Sequence, residues 1–228
     1  MPSHTLPGEP PITLDLRRSD RARRIILRVG RQDGAVTLTL PRGVRESEGL
    51  AFAAQKRAWL EAQLADRVLP TRVSPGSVIP VLGTPREIVP GLRTELGAAS
   101  LYIAGPADRV GLRTRAFLKT LARDRLASAS GHYAEKLGRP FARITLRDTR
   151  SRWGSCSSAG NLMYSWRLVM APEEILDYVA AHEVAHLKHM DHSRAFWRTV
   201  HHLYGDPAPA RAWLRREGAS LQAFHFGD

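Results

Sequence analysis

The sequence predicts an α+β fold, with a β-rich N-terminal half that carries one helix and a helical C-terminal half. Three observations predict it. Alternating apolar residues and turn dipeptides crowd residues 12–105. Proline and glycine break 70–105 into pieces too short for helices. Two later stretches, 109–137 and 172 onward, repeat apolar residues at helical spacing. The expected organisation is a flexible tail at 1–11, a β-rich region at 12–105 and a second region at 106–228.

Each element has its own signal. Residues 1–11 hold four prolines and a glycine, hence the tail. Ile25, Leu27 and Val29 alternate, as do Val36, Leu38 and Leu40, and Asp33-Gly34 between them is a hairpin signal. Leu50, Ala54, Arg57, Leu60 and Leu64 recur at helical spacing, so 47–67 reads as one helix. Strands are expected at Val78–Leu82, Glu87–Val89 and Leu101–Ile103. The stripe Leu112, Ala116, Leu118, Leu121, Leu126, Tyr133 and Leu137 predicts a helix, stopped by Gly138-Arg139-Pro140. Ile144 and Leu146 mark a strand, 148–160 reads as loop, and Leu162–Met170 reads as a further strand. No internal repeat is visible.

Composition excludes several classes. The single cysteine, Cys156, forbids an internal disulfide and an all-cysteine metal site, and it reads as a small, partly buried residue. No basic segment leads into an apolar core near the start, so no signal peptide is visible. No apolar run approaches the ~20 residues of a membrane span. A cytoplasmic protein with no membrane association is the expectation. The net charge of +12 favours polyanions, and Arg17, Arg18, Arg21, Arg23, Arg24, Arg28 and Arg31 form the best candidate surface for DNA or other nucleic acid. Few aromatics accompany them, so a solvated hairpin face explains them equally well.

The chemistry concentrates between Pro172 and Trp197. Pro172 suits a helix start, and Glu173 and Glu174 suit its positive end. Ile175, Val179, His182 and His186 follow at steps of four, three and four, so they share one face. His182-Glu183-Val184-Ala185-His186 is H-E-x-x-H. Histidines one turn apart can each lend a nitrogen to one metal at about 2.0–2.1 Å. Glu183 is rotated about 100° round the helix, too far to be an obvious ligand but placed to act as general base on a water. A catalytic zinc needs a third protein ligand. His189 and His192 are the candidates. His192 completes the three-histidine spacing of the metzincins, but His189 stands where those proteins have glycine. Asp191 or Ser193 could cap a new helix after the turn. Zinc, one ion, is the expectation for three imidazoles.

Arg152-Trp153-Gly154-Ser155-Cys156-Ser157, then a strand, then the His182 helix with Leu187, then Asp191-His192-Ser193-x-x-Phe196-Trp197, resembles the YgjP-type zinc metallopeptidases, relatives of the SprT and WLM peptidases. The likeness is specific over 152–197 and extends in general pattern over most of the chain, including Leu82-Gly83. It implies a zincin-like metallopeptidase domain at 106–228, with His182, His186 and His192 as ligands and Glu183 as base. The family commonly has Asn or Asp before the third histidine, and Asp191 fits. A polypeptide substrate is implied. Relatives in the SprT and WLM groups act on proteins crosslinked to DNA, which keeps a nucleic-acid association in view. The strand Leu162–Met170 is expected to border the cleft as an edge. Arg152 and Trp153 are candidate cleft or substrate contacts, Arg152 steadying the cleft wall or binding a substrate carboxylate; the alternative is that Trp153 anchors core and Arg152 pairs with a helix terminus. Tyr164, Tyr204 and His201 are candidates for oxyanion stabilisation. Two other readings stay open: a zinc hydrolase of a non-peptide amide or ester, and a basic nucleic-acid module with a structural zinc.

Overall fold

The computed structural model describes residues 3–30, 34–65 and 70–227. It is a mixed α+β structure whose chain divides into two compact units, Met1–Leu69 and Pro70–Asp228. The break therefore falls between Leu69 and Pro70, not at 105/106. The reason is that the strands of 70–105 bury their apolar faces (Ile79, Val81, Ile88, Leu101, Ile103) in the same core as the helices that follow.

The first unit holds strands β1 (Ser3–Leu6), β2 (Ile12–Arg18), β3 (Ile26–Val29) and β4 (Val36–Leu40), then helices α1 (Glu46–Gln55) and α2 (Arg57–Ala65). The sheet order is β1-β2-β4-β3, with β2 and β4 parallel and the outer pairs antiparallel. The expected tail is corrected here. Ser3–Leu6 pairs with β2, and Leu6 is buried in the unit's core beside Ile12 and Leu14. The prolines at 7, 10 and 11 make the connection between two paired strands. The single helix expected over 47–67 is two, because Lys56 has ψ 13° and interrupts the helical path. Asp33 of the hairpin signal and Asp66 and Arg67 of that helix lie outside the described residues. Gly49 has a steric reason: a Cβ there would meet Leu40 Cδ2 at 2.5 Å, so its absence lets α1 lie on β4.

The second unit begins with β5 (Thr71–Arg72), β6 (Val78–Val81), β7 (Thr84–Gly91), β8 (Glu95–Leu96) and β9 (Ser100–Ala104). The sheet β6-β7-β9-β8 has the same relative order and strand directions as the sheet of the first unit. That topological repeat is invisible in the sequence, because period-2 alternation is common to all half-buried strands. Helix α3 (Val110–Leu137) follows and ends on Gly138 at φ 70°, the left-handed conformation that glycine adopts without strain. Next come β10 (Arg143–Arg147), β11 (Gly154–Cys156) and β12 (Asn161–Ser165), a three-stranded sheet in the order β10-β12-β11. Helices α4 (Glu173–Ala185), α5 (Arg194–Leu203) and α6 (Ala208–Glu217) lead to β13 (Phe224–His225).

Two expectations change in this region. The stretch read as loop, 148–160, contains β11. The strand expected over Leu162–Met170 is β12 followed by a tight 3-10 turn from Trp166 to Met170, all five of whose residues are buried. β12 is the centre of its sheet, so the edge it was expected to supply belongs to β11. The β6–β7 hairpin braces the start of α4. Leu82 N donates to Val169 O at 2.7 Å, and the Cα of Gly83 leaves no room for a Cβ against Pro172. Leu82 has φ 51°, an unusual conformation for leucine, and it holds the hairpin tip in this contact. Among the described residues no helix is long and apolar enough to cross a membrane.

Candidate active site

Helix α4 is buried along most of its length, with Ile175, Leu176, Val179, Ala180, Val184 and Ala185 in the core. Those contacts fix its rotation and so fix where its polar residues point. His182 and Glu183 lie on its last turn, and His186 is its C-cap. The chain then leaves through tight bonds, Leu187 N to Val184 O at 3.0 Å and Lys188 N to Ala185 O at 3.1 Å. No residue of this reversal has a positive φ, so the metzincin glycine is not needed. Asp191 Oδ1 accepts from Ser193 N at 3.1 Å, and Ser193 Oγ caps α5 by accepting from Phe196 N. Between these two turns the chain doubles back and brings His192 to α4.

His182, His186 and His192 each offer a ring nitrogen, and the three lie within 4.8 Å of one another. His182 Nε2 and His192 Nε2 are 3.2 Å apart. Two nitrogens bound tetrahedrally at ~2.0–2.1 Å from one ion are about 3.3–3.4 Å apart, so this spacing suits a metal. The donor chemistry also fits. Burial, then the neighbouring His186 and His192, then Arg211, push the His182 pKa down to about 3. Burial lowers that of His186 as well. Both rings are therefore neutral, as ligands must be. His186 Nδ1 donates to the His189 carbonyl at 2.9 Å, which leaves Nε2 with its lone pair. His189 thus contributes its backbone rather than its ring. Tyr178 Oη lies 3.4 Å from His182 Nδ1 and can do the same for that ring. Phe196, fully buried, forms the floor: it stacks on His186 at 4.5 Å and meets His182 and His192 edge to face.

Glu183 is 5% exposed. Burial pushes its pKa up to about 8, against the opposing charge of Arg152. Its carboxylate rests on Gly154 of β11. A Cβ on Gly154 would lie 2.6 Å from Glu183 Cγ and Oε1, so only glycine fits. The approach that brings Arg152 here is pinned. Arg167 forks onto Asp148 at 2.7 and 3.2 Å, and Thr149 Oγ1 donates to Arg152 O at 2.7 Å. Gln222 Nε2 donates to Thr149 O at 3.1 Å.

The remaining sequence candidates fall as follows. Arg152 is exposed and near Glu183. Trp153 is half-buried, its ring against Gly218, and packs on the core. Tyr164 is fully buried with its hydroxyl 3.0 Å from Ser130 Oγ, so it is corrected to a core residue out of reach of a substrate. Tyr204 donates to Glu174 O at 3.0 Å, and its ring meets that of Tyr178, which in turn meets His182, so it stands one ring out from the histidine cluster. His201 is exposed on α5, one turn beyond Trp197, outside the histidine cluster. Burial and Glu183 push the Cys156 thiol up to about 11, which keeps it protonated and inert. Sequence reading missed the roles of Tyr178, Phe196, Gly154 and Arg211. Tyr178 had a usable signal, since it precedes His182 by one helical turn.

A family model described as YgjP-like, metallopeptidase domain, matches residues 23–217. Among solved structures, the metallopeptidase zymogen of Pyrococcus abyssi abylysin is 25% identical, with a TM-score of 0.37, over 42% of this chain and 95% of that one. No curated protein matches. The arginines of β2 and β3, Arg17, Arg18 and Arg28, are exposed.

Proposed function

The chain belongs to the YgjP-like metallopeptidase family, and from that premise we propose that His182, His186 and His192 hold one zinc ion and that Glu183 is the general base of peptide hydrolysis. The observation that carries this reading is the meeting of three imidazoles, their ring nitrogens within 4.8 Å of one another, beside the buried carboxylate of Glu183. Zinc bound there would acidify a water and polarise the carbonyl of the scissile bond. Glu183, next to His182 on the same helix turn, would supply the carboxylate that accepts a proton from that water. The Glu183 carboxylate could take the water's proton and, once protonated, return it to the departing amine. Arg152 opposes the effect of burial and favours the ionised carboxylate that a base must be.

The edge strand β11 supports a polypeptide as the substrate. β11 pairs with β12 on one side only, and it passes directly under Glu183 through Gly154. An extended peptide could add to that free edge by main-chain hydrogen bonds and so bring a carbonyl to the site. Hydrolysis of a small amide or ester would make no use of such an edge. The test is cleavage of denatured casein before and after chelation. Cleavage abolished by EDTA and restored by about one equivalent of zinc is expected. Cleavage that survives complete zinc removal contradicts the proposal.

A further inference from the structure

Two arginines flank the reaction centre, and only one of them has so far been given a role. Arg211, on α6, lies with its guanidinium carbon 4.6 Å over the ring of Trp197. That ring lies 5.8 Å from His182 and 5.9 Å from His192. The guanidinium is therefore carried on an aromatic platform that leans against two of the three histidines. Arg152 stands at the Glu183 side. The same helix links the two places: α6 starts near Arg211, and Gly218 just beyond its end packs on Trp153, the neighbour of Arg152. Seven residues of helix span about 10 Å.

Neither arginine is ion-paired among the described residues. Stacking on Trp197 holds Arg211 in place without neutralising it. Asp191, adjacent in sequence to His192, has Oδ1 turned to Ser193 N in its own loop. An arginine held in place, uncompensated and beside the reacting centre is suited to a carboxylate, which its fork can bind at two points.

We infer that this cleft selects peptides carrying a carboxylate beside the bond to be cut, and that Arg211 on its Trp197 platform is the group that receives it. The carboxylate is either an acidic side chain or the peptide's own C-terminus. This inference rests on the placing of the reaction centre proposed above, and it concerns binding, so it can be tested without turnover.

The test uses full-length, zinc-loaded protein carrying Glu183→Gln and three peptides labelled with a neutral dye. One is neutral and amidated, one is amidated with a central glutamate, and one is neutral with a free C-terminus. Fluorescence anisotropy should show one or both carboxylate peptides bound about five-fold tighter than the neutral one, the yield of one well-placed exposed ion pair. Arg211→Gln should remove that preference, and Arg211→Lys should keep part of it. Preference for the glutamate peptide identifies the side chain as the source, and preference for the free-ended peptide identifies the C-terminus. Equal binding of all three, or a preference unchanged by Arg211→Gln, overturns the inference. Should the variant fail to fold, the parent protein decides: the preference must collapse as salt rises from about 0.05 to about 0.5 M, and one indifferent to salt overturns it. Failure of the peptidase reading is seen separately, as no cleavage of any of the three by zinc-loaded protein with Glu183 intact.

Discussion

Replacing Gly154 by alanine tests how tightly the base is positioned. The new Cβ would stand 2.6 Å from Glu183 Cγ and Oε1 and 2.8 Å from Cδ, where ordinary contact begins at 3.4 Å. The carboxylate must therefore retreat by about 0.8 Å, or β11 must move away from α4 by as much. Neither is easy, since Glu183 is 5% exposed and its helix neighbours Val184 and Ala185 are fully buried. A misplacement near 1 Å at a reacting group costs on the order of 100-fold in rate. Overpacking adds a stability cost of about 1–3 kcal/mol. The assay is kcat/KM on a quenched-fluorescence peptide, read beside zinc content and thermal midpoint. The expected result is a fall of about 100-fold with one zinc retained, because Gly154 touches the base and not the histidines. Gly131→Ala is the control: it sits in α3 with nothing within 4 Å of the added methyl, so it should leave activity unchanged. It should also stabilise the protein by about 0.5–1 kcal/mol. Gly154→Ala protein within about three-fold of the parent would refute the positioning argument, since a displaced base cannot be that forgiving.

Other expectations follow from the same geometry. His192→Ala should weaken zinc binding by at least about 100-fold, the upper end of what losing even an outer-shell partner costs, as measured by competition with a chromogenic chelator. Phe196→Ala removes the buried floor beneath the three rings and should cost about 3–5 kcal/mol in chemical denaturation. Asp177→Asn should stabilise the protein at neutral pH. Burial, then Glu173, raises the Asp177 pKa above its unfolded value, so the folded state disfavours the carboxylate. The sign follows: the penalty is present above the folded pKa and fades as pH falls towards the unfolded one, near ~3.9. The difference in thermal midpoint between the two proteins should therefore shrink on acidification. A difference that grows on acidification would contradict the burial argument.

The sequence made the mixed fold and the histidine spacing legible because both are local. His182, Glu183 and His186 stand on one helix, and their relation follows from 3.6 residues per turn. His192 was harder to place, since a residue ten positions on depends on how the chain turns. The capping bonds of Asp191 and Ser193 supply that turn. What could not be read was long-range. Gly154 is twenty-nine positions from Glu183, and nothing local says that its missing side chain makes room for a carboxylate. Tyr164 looked like a polar candidate because burial is not written in a period-2 pattern, and the fold places it on the inner face against Ser130. The unit boundary was misplaced for a similar reason. Strand composition marked 70–105 as β-rich, but which core those strands join is a property of packing.

The most direct test of the account compares the parent protein with Glu183→Gln for zinc content and cleavage of denatured casein in the same preparation. The substitution keeps size and shape and removes only the proton acceptor. The account predicts one zinc in each and cleavage reduced by about 10²–10⁴-fold in the variant, the range that a general base contributes. Equal cleavage by both proteins, each with its zinc, would contradict the assignment of Glu183 as the base.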